Sequence, residues 1–447
     1  MSAPARETHG TAWAEDAAAF QTGAGRRVAP WIADFRKLGL DGFRELGFPA
    51  PKQEDWRFTN VGPIAEARLP FAASPGPGVS FSSLAPFLFD SPDWTRLVFA
   101  DGHFVSSLSS IGEWDGADIQ SLADIMPSGH PVAERHIGQC VPTGTNGFTA
   151  LNAACLNDGV YINVGDGETV KKPVLLVYLA VRDEPFAAHP RNLIIVGDHA
   201  QLTVVELFVS LTGGAHFTNA LTEISAGRRS VVDYYRIQQE SPLAYHVSSV
   251  GVRQEELSSF SSASINLGGA LTRNNLSVEL AGEACTTVMN GLSIVDGDRH
   301  VDNQTALDHA SPRCESEELY KAIVDDRARS VFNGKIYVRP GAQKTDAKQT
   351  NRNLLLSKNA TVDTKPQLEI FADDVKCTHG ATVGQLDENQ LFYLRSRAMD
   401  EQTASQLLTY GFANDIIERI SLEPVRAYLH RAQSSALHTA AAIGDLQ

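Results

Sequence analysis

The stretch from Ser258 to Leu280 reads SSFSSASINLGGALTRNNLSVEL. Apolar and polar residues alternate over short runs on either side of GlyGlyAla at 268 to 270, which is the period of half-buried strands joined by a tight turn. The same texture extends outward in both directions, through VLLVYLAV, LIIVGDHAQLTVVELFV and SVVDYYRI upstream and on to Val383 downstream. From about Val160 to about Val383 the chain therefore reads as strand after strand with no intervening helix. A region of that length leaves three architectures: a sandwich, a propeller or a parallel β-helix. Turns at 197 to 199, 268 to 270 and 296 to 298, with Asn, Ser and Thr inside otherwise apolar runs, suit a β-helix whose inward polar residues stack in ladders. They also suit the exposed faces of sandwich strands.

The flanks change period. In PWIADFRKLGLDGFRELG, from Pro30 to Gly47, Trp31, Phe35, Leu38, Phe43 and Leu46 recur at helical intervals, and the glycines are expected to break the run. FAASPGPGV, from Phe71 to Val79, reads as a loop. After Asp400, a candidate N-cap, Ala404, Leu407, Leu408, Phe412, Ile416 and Ile420 form an apolar stripe, and Pro424 suits the first turn of a further helix.

The 447 residues carry 38 basic and 53 acidic side chains, a net charge of −15. An acidic surface repels phosphate backbones, and the densest basic stretches are the single pairs Arg26–Arg27 and Arg228–Arg229, so no nucleic acid partner is expected. Five cysteines (Cys140, Cys155, Cys285, Cys314 and Cys377) are too few and odd in number for a disulfide framework, which fits a reducing cytoplasm. Met1 to Phe20 lacks the basic flank and apolar run of a secretory signal, and no segment reaches the roughly 18 apolar residues of a membrane helix.

Catalytic patterns are absent: no phosphate loop, G-x-G-x-x-G, H-E-x-x-H, G-x-S-x-G or C-x-x-C. Two polar clusters stand out. In KCTHGATVG, Cys377 and His379 alternate, so on a strand they share a face with Cα atoms about 6.6 Å apart, within reach of one metal ion. Two ligands fall short of a closed tetrahedral site, so further ligands would come from elsewhere, another chain included. The alternative is that Cys377 packs as a small apolar group and His379 satisfies a turn. In DGDRHVDNQ, Asp298, His300 and Asp302 also alternate, with Asp308 and His309 beyond. They suit a hard-metal or acid–base set, or a structural rung hydrogen-bonded to its neighbours; the structural reading is favoured, because buried polar groups usually exist where partners satisfy them.

Longer blocks carry a resemblance. DNQTALDH, FNGKIYV, KTDAKQTNRNLLLS, LEIFADDVKCTHGATVG, FYLRSRAMDE and LLTYGFANDIIERI resemble the shared core of the SufB/SufD family, and PAPKQEDWRFTN and FTALNAACLNDGVYINV resemble its upstream motifs. Cys-x-His in KCTHGAT and the lack of a cysteine in NRNLLLS place the resemblance on the SufD branch. Ala398 departs from it, standing where the family usually has glycine.

The resemblance implies a mainly β protein: a right-handed parallel β-helix core over 156–385, flanked by a helical or mixed N-terminal domain, 1–155, and a helical C-terminal domain, 386–447. It implies a scaffold subunit of iron–sulfur cluster assembly rather than an enzyme, pairing with a SufB-like subunit through the β-helix and docking a SufC-like ABC ATPase through the C-terminal helices. On this reading His379, with Cys377 in a lesser role, meets a transient cluster at the heterodimer interface, and Leu408, Tyr410, Phe412 and Ile416 serve the ATPase contact. A flavin on the assembly, and a homodimer without the SufB-like subunit, are left open. The rival expectations are a β-helix carbohydrate-active enzyme using Asp298, Asp302 and Asp308, and a purely structural adaptor.

Overall fold

A computed structural model describes residues 4–23, 28–72, 74–76, 78–112 and 116–437. The Arg26–Arg27 pair and parts of the Phe71–Val79 loop lie outside them. The centre of the chain is a parallel β-helix. Strands opening at Gln201, Val231, Ser259, Thr286, Glu315, Asp346 and Lys376 stack in register in one sheet, and those opening at His216, Tyr245, Leu271, His300, Arg329 and Thr361 stack in the other. Successive strands of a coil lie in different sheets, so each hydrogen-bonds to its equivalent one coil away. Thr95–Ala100 and Ala117–Ser121, within the expected N-terminal domain, extend the two sheets at the opposite end.

Alternation decides which residues face the interior. Phe260, Met289, Leu276, Val278, Leu307, Phe332 and Ile336 do, and they form the solenoid's core. Interleaved with them is the polar ladder that the Ser/Asn runs suggest. Asn274 Nδ2 donates to Asn266 Oδ1 at 2.9 Å and to Asn303 Oδ1 at 3.0 Å, and Ser248 Oγ donates to Asn274 Oδ1 at 3.0 Å. Buried amides require partners, and stacking equivalent residues from adjacent coils supplies them.

One corner of each coil is built the same way. His199, Arg229, Leu257, Ala284, Arg313 and Lys344 all have φ between 55° and 65°. All six donate their backbone N–H to the next coil, to the carbonyls of Arg228, Glu256, Glu283, Pro312, Gln343 and Asp374, at 2.7 to 3.0 Å. A left-handed non-glycine residue costs about 1–2 kcal/mol, which this inter-coil bond offsets. The residue after it is small: Ser230, Ser258, Cys285, Cys314 or Thr345. Ser230, Ser258, Cys285 and Thr345 each donate to the carbonyl three residues back.

The outer faces of the two sheets are covered differently. On one, Leu292, Ile294, Leu319 and Ile323 pack against Ile416 and Ile417 of helix Glu401–Ile417, Ile420 of the connection after it, and Val425 and Leu429 of helix Glu423–Ala436. On the other, Phe217, Val247 and Leu271 meet Trp13, Trp56 and Phe148 of the N-terminal region.

The helix expected near Pro30 spans Pro30–Leu46, but its glycines do not break it. A Cβ at Gly39 would collide with the backbone of Ala154, so this glycine lets the helix lie directly on Gly147–Ala154. Ile32, Arg36, Leu40 and Phe43 are buried, whereas Leu38 and Leu46 are exposed. The buried stripe is thus rotated from the expected one. It follows Gly39, because the closest backbone approach fixes which side faces inward.

Candidate functional site

The last coil has no coil beyond it. Its strands Thr361–Ile370 and Lys376–Gly384 each pair on one side only, with Arg329–Val338 and Asp346–Leu355. Cys377 is in register with buried Ala347 and packs against the solenoid core, so Cys377 and His379 both face the interior direction. At this level the interior is open, and His379 is exposed while Cys377 is half-buried. Burial, followed by the negative charge of Asp346, pushes the Cys377 thiol up, so it stays protonated near neutrality.

No group of three or more His, Cys, Asp or Glu side chains able to hold a metal ion is found among the described residues. The pair at the mouth therefore remains two groups short of a tetrahedral iron site. The last coil also leaves apolar side chains uncovered: Ile370, Phe371 and Val383 are 40%, 56% and 46% exposed.

The second cluster, DGDRHVDNQ, resolves as a clamp. Asp298 lies at the surface, where its carboxylate pairs with Arg327 in the next coil. Asp302 is buried and accepts from Arg273 Nη1 at 2.6 Å, Thr59 Oγ1 at 2.5 Å and Gln304 Nε2 at 2.6 Å. The Thr59 hydroxyl, donating to Asp302, lies 2.9 Å from His300 Nε2, which then carries the hydrogen. Burial holds the His300 imidazole below its usual range. Arg273 also donates to the Asp55 carbonyl at 2.7 Å and lies 3.6 Å over the Trp56 ring, whose other neighbour is the stacked ring of Phe148. The PAPKQEDWRFTN segment is thus pinned to the outside of the β-helix, and Glu54 adds an ion pair with Lys365. His309 points the other way, into the core, with Nε2 3.0 Å from Ser316 Oγ. Asp308 is taken by Arg339. The three acids proposed for carbohydrate chemistry are each engaged by a different arginine.

In the C-terminal helices Ile416 is fully buried against the sheet, so it anchors its own helix and offers no surface to a partner. The stripe of Ala404, Ile416 and Ile420 turns inward because the sheet presents an apolar face to it. Phe412 is half-buried beneath Lys321, whose ammonium lies 4.5 Å from its ring and 2.6 Å from Asp415. The Tyr410 hydroxyl lies 3.0 Å from His430 Nδ1. Leu408 lines a cavity of 470 Å³ with Val383, Leu386, Leu407 and Phe412. The helix runs unbroken through Gly411. The exposed aromatics are on the preceding helix, Glu388–Ser396, which buries none of its residues and leaves Phe392 74% and Tyr393 55% exposed.

Comparison with known proteins places these features in a family. The SufBD protein N-terminal region matches residues 21–176, and the SufBD core domain of SUF system FeS cluster assembly matches residues 178–412. The chain belongs to the SufB/SufD family. Within it, the iron-sulfur cluster assembly protein SufD of Escherichia coli is 36% identical over 383 residues, covering 85% of this chain and 87% of its own. A SufBD family protein of Synechocystis is 31% identical over 90% of both chains. SufD of Bacillus subtilis is 26% identical over 89% of this chain and 92% of its own, whereas SufB of the same organism is 25% identical over 70% and 67%. The SufD likeness is the longer in coverage, as the Cys-x-His motif implies. Ala398, for which the resemblance leads one to expect glycine, has φ +67°, the conformation that glycine adopts without strain.

Sequence reading missed the clamp around Arg273 and the residues beneath His379. Both are set by coil-to-coil register, and stepping back one coil from His379 would have led to Gln349.

Proposed function

We propose that this chain is the SufD-like scaffold subunit of a cytoplasmic iron–sulfur cluster assembly complex. In this reading it pairs with a SufB-like subunit through the open end of its β-helix, and an ABC ATPase of the SufC type docks on the C-terminal helices. His379 then contributes one ligand to a cluster completed by the partner. The observation that carries the reading is the uncapped last coil, with its free strand edges, uncovered apolar residues and inward-facing His379 at one end of the solenoid. A sheet edge left open is a template for another chain, and a two-ligand site across such an edge gains its missing ligands from that chain. For the ATPase, Phe392 and Tyr393 support docking on the face that also includes Leu408 and Phe412, since exposed aromatics anchor interfaces.

The chain's own part in the chemistry is limited. It orients an imidazole at a rigid strand end, excludes water once the mouth is covered, and brings no phosphate-binding loop, so ATP hydrolysis falls to the docked subunit. The iron and sulfide are cargo.

The test is His379→Ala in the complex reconstituted with SufB-like and SufC-like subunits, scored by iron and sulfide content with complex yield as control. Cluster content should fall at least about 10-fold at unchanged yield, since even groups behind a metal ligand matter by 10–100-fold. Cys377→Ser should cost less. Wild-type cluster content in the His379→Ala complex would remove the histidine from the function and leave the structural adaptor reading.

A further inference from the structure

Glu318, Gln349 and His379 occupy consecutive rungs of one inward-facing column, in register from coil to coil. The first two are buried and the third lies at the open mouth. Gln349 Nε2 donates to Glu318 Oε2 at 2.7 Å. With Glu318 ionised the carboxylate only accepts, so this bond fixes the amide's polarity: its NH2 points down the column to the carboxylate, and its carbonyl is turned away. Gln349 Oε1 is buried and without a hydrogen-bond partner. The strand across the interior makes room for this side chain. A Cβ at Gly334 would collide with Gln349 Nε2 and come within 2.7 Å of Phe332 Cζ. Gly334 and Phe332 thus form a slot that holds the amide in place. An amide held by a buried acid on one side and a glycine slot on another, with its own acceptor idle, is an unpaired group awaiting a donor. The next residue in the column is His379.

We propose that Gln349 is a positioning residue for His379: once a partner covers the mouth, Gln349 Oε1 accepts the N–H of the imidazole nitrogen facing the floor, and the other ring nitrogen presents its lone pair to the cluster. Glu318 acts one step further back by keeping the Gln349 amide from flipping. If the amide flipped, it would offer an N–H to the ring and favour the opposite tautomer. The inference rests on the reading of His379 as a cluster ligand, and it extends that reading to two residues buried beneath it.

The experiment uses the reconstituted complex with the chain 15N-labelled at histidine. The His379 ring signals are assigned by their loss in His379→Ala, and the tautomer is read from the two ring-nitrogen shifts before iron is added. The wild type should show one protonated and one bare nitrogen. Glu318→Gln keeps volume and packing but lets the Gln349 amide take either orientation, so the two ring shifts should move toward each other. Gln349→Met should do the same and lower iron and sulfide loading about 10-fold. Unchanged ring shifts in Glu318→Gln would overturn the proposal, even if Gln349→Met fails to fold. The two readings fail separately. Full cluster loading with His379→Ala would sink the ligand role, whereas loss of loading with His379→Ala and wild-type ring shifts in the Glu318 and Gln349 variants would sink only the positioning.

Discussion

Replacing Asp302 with Ala should loosen the N-terminal segment from the β-helix. Asp302 and Arg273 are 1% and 2% exposed and 2.6 Å apart, and Asp302 also accepts from Thr59 and Gln304. Removing the carboxylate leaves a buried guanidinium without its counter-charge, for which a loss of about 3–5 kcal/mol is typical. The upper half of that range is expected, because Thr59 and Gln304 lose their acceptor too. A typical domain is stable by about 5–15 kcal/mol, so the effect is a large share of the total. It should be local at first. Arg273 is what holds Trp56 and the Asp55 carbonyl, so residues 54–59 should detach before the solenoid melts. Urea unfolding followed by tryptophan fluorescence measures the loss, and limited proteolysis locates it. Arg273→Met combined with Asp302→Leu should recover only part of the stability, since it removes the unpaired charge but restores neither the acceptor of Thr59 and Gln304 nor the bond to the Asp55 carbonyl. A loss below about 1 kcal/mol, with no new cleavage near Trp56, would refute the clamp.

Burial pushes the Glu318 carboxyl up to about 7 from an ordinary 4.5. Between those values the folded chain holds more protons than the unfolded one, so this group's contribution falls as pH rises. Glu318→Gln should therefore change stability little at pH 5 and raise it by up to about 3 kcal/mol at pH 8, and equal effects at both pH values would contradict the assignment. Ile416→Ala should cost about 2–5 kcal/mol in denaturant, as a buried large-to-small change, whereas Phe392→Ala should leave stability unchanged and weaken ATPase-subunit binding in a pull-down; the reverse pattern would exchange their roles. Cys285→Ser should shift stability by less than about 1 kcal/mol, because Ser258 and Ser230 make the same corner bond in neighbouring coils. Ala398→Gly should stabilise by about 1 kcal/mol by relieving a left-handed residue, and a lower melting temperature would argue against strain there.

The sequence by itself determined the β content of the centre, the helical flanks, the family and the pairing of Cys377 with His379 on one strand face. All of these depend on local period or on contiguous motifs, which survive without knowledge of contacts. Tertiary structure decided the rest. Asn274 and Asn275 are adjacent and chemically alike, yet one joins the interior ladder and the other faces outward, because strand register alone assigns the faces. The repeat of the coils escaped notice because its corners use left-handed His, Arg, Leu, Ala and Lys residues rather than glycine, so no residue type marks them. Asp302 is read as a clamp only once Thr59 is brought to it across 243 residues of chain. Ile416 and Phe392 are both apolar residues on helices, and the sheet face that buries the first and leaves the second in solvent is built from strands far away in sequence.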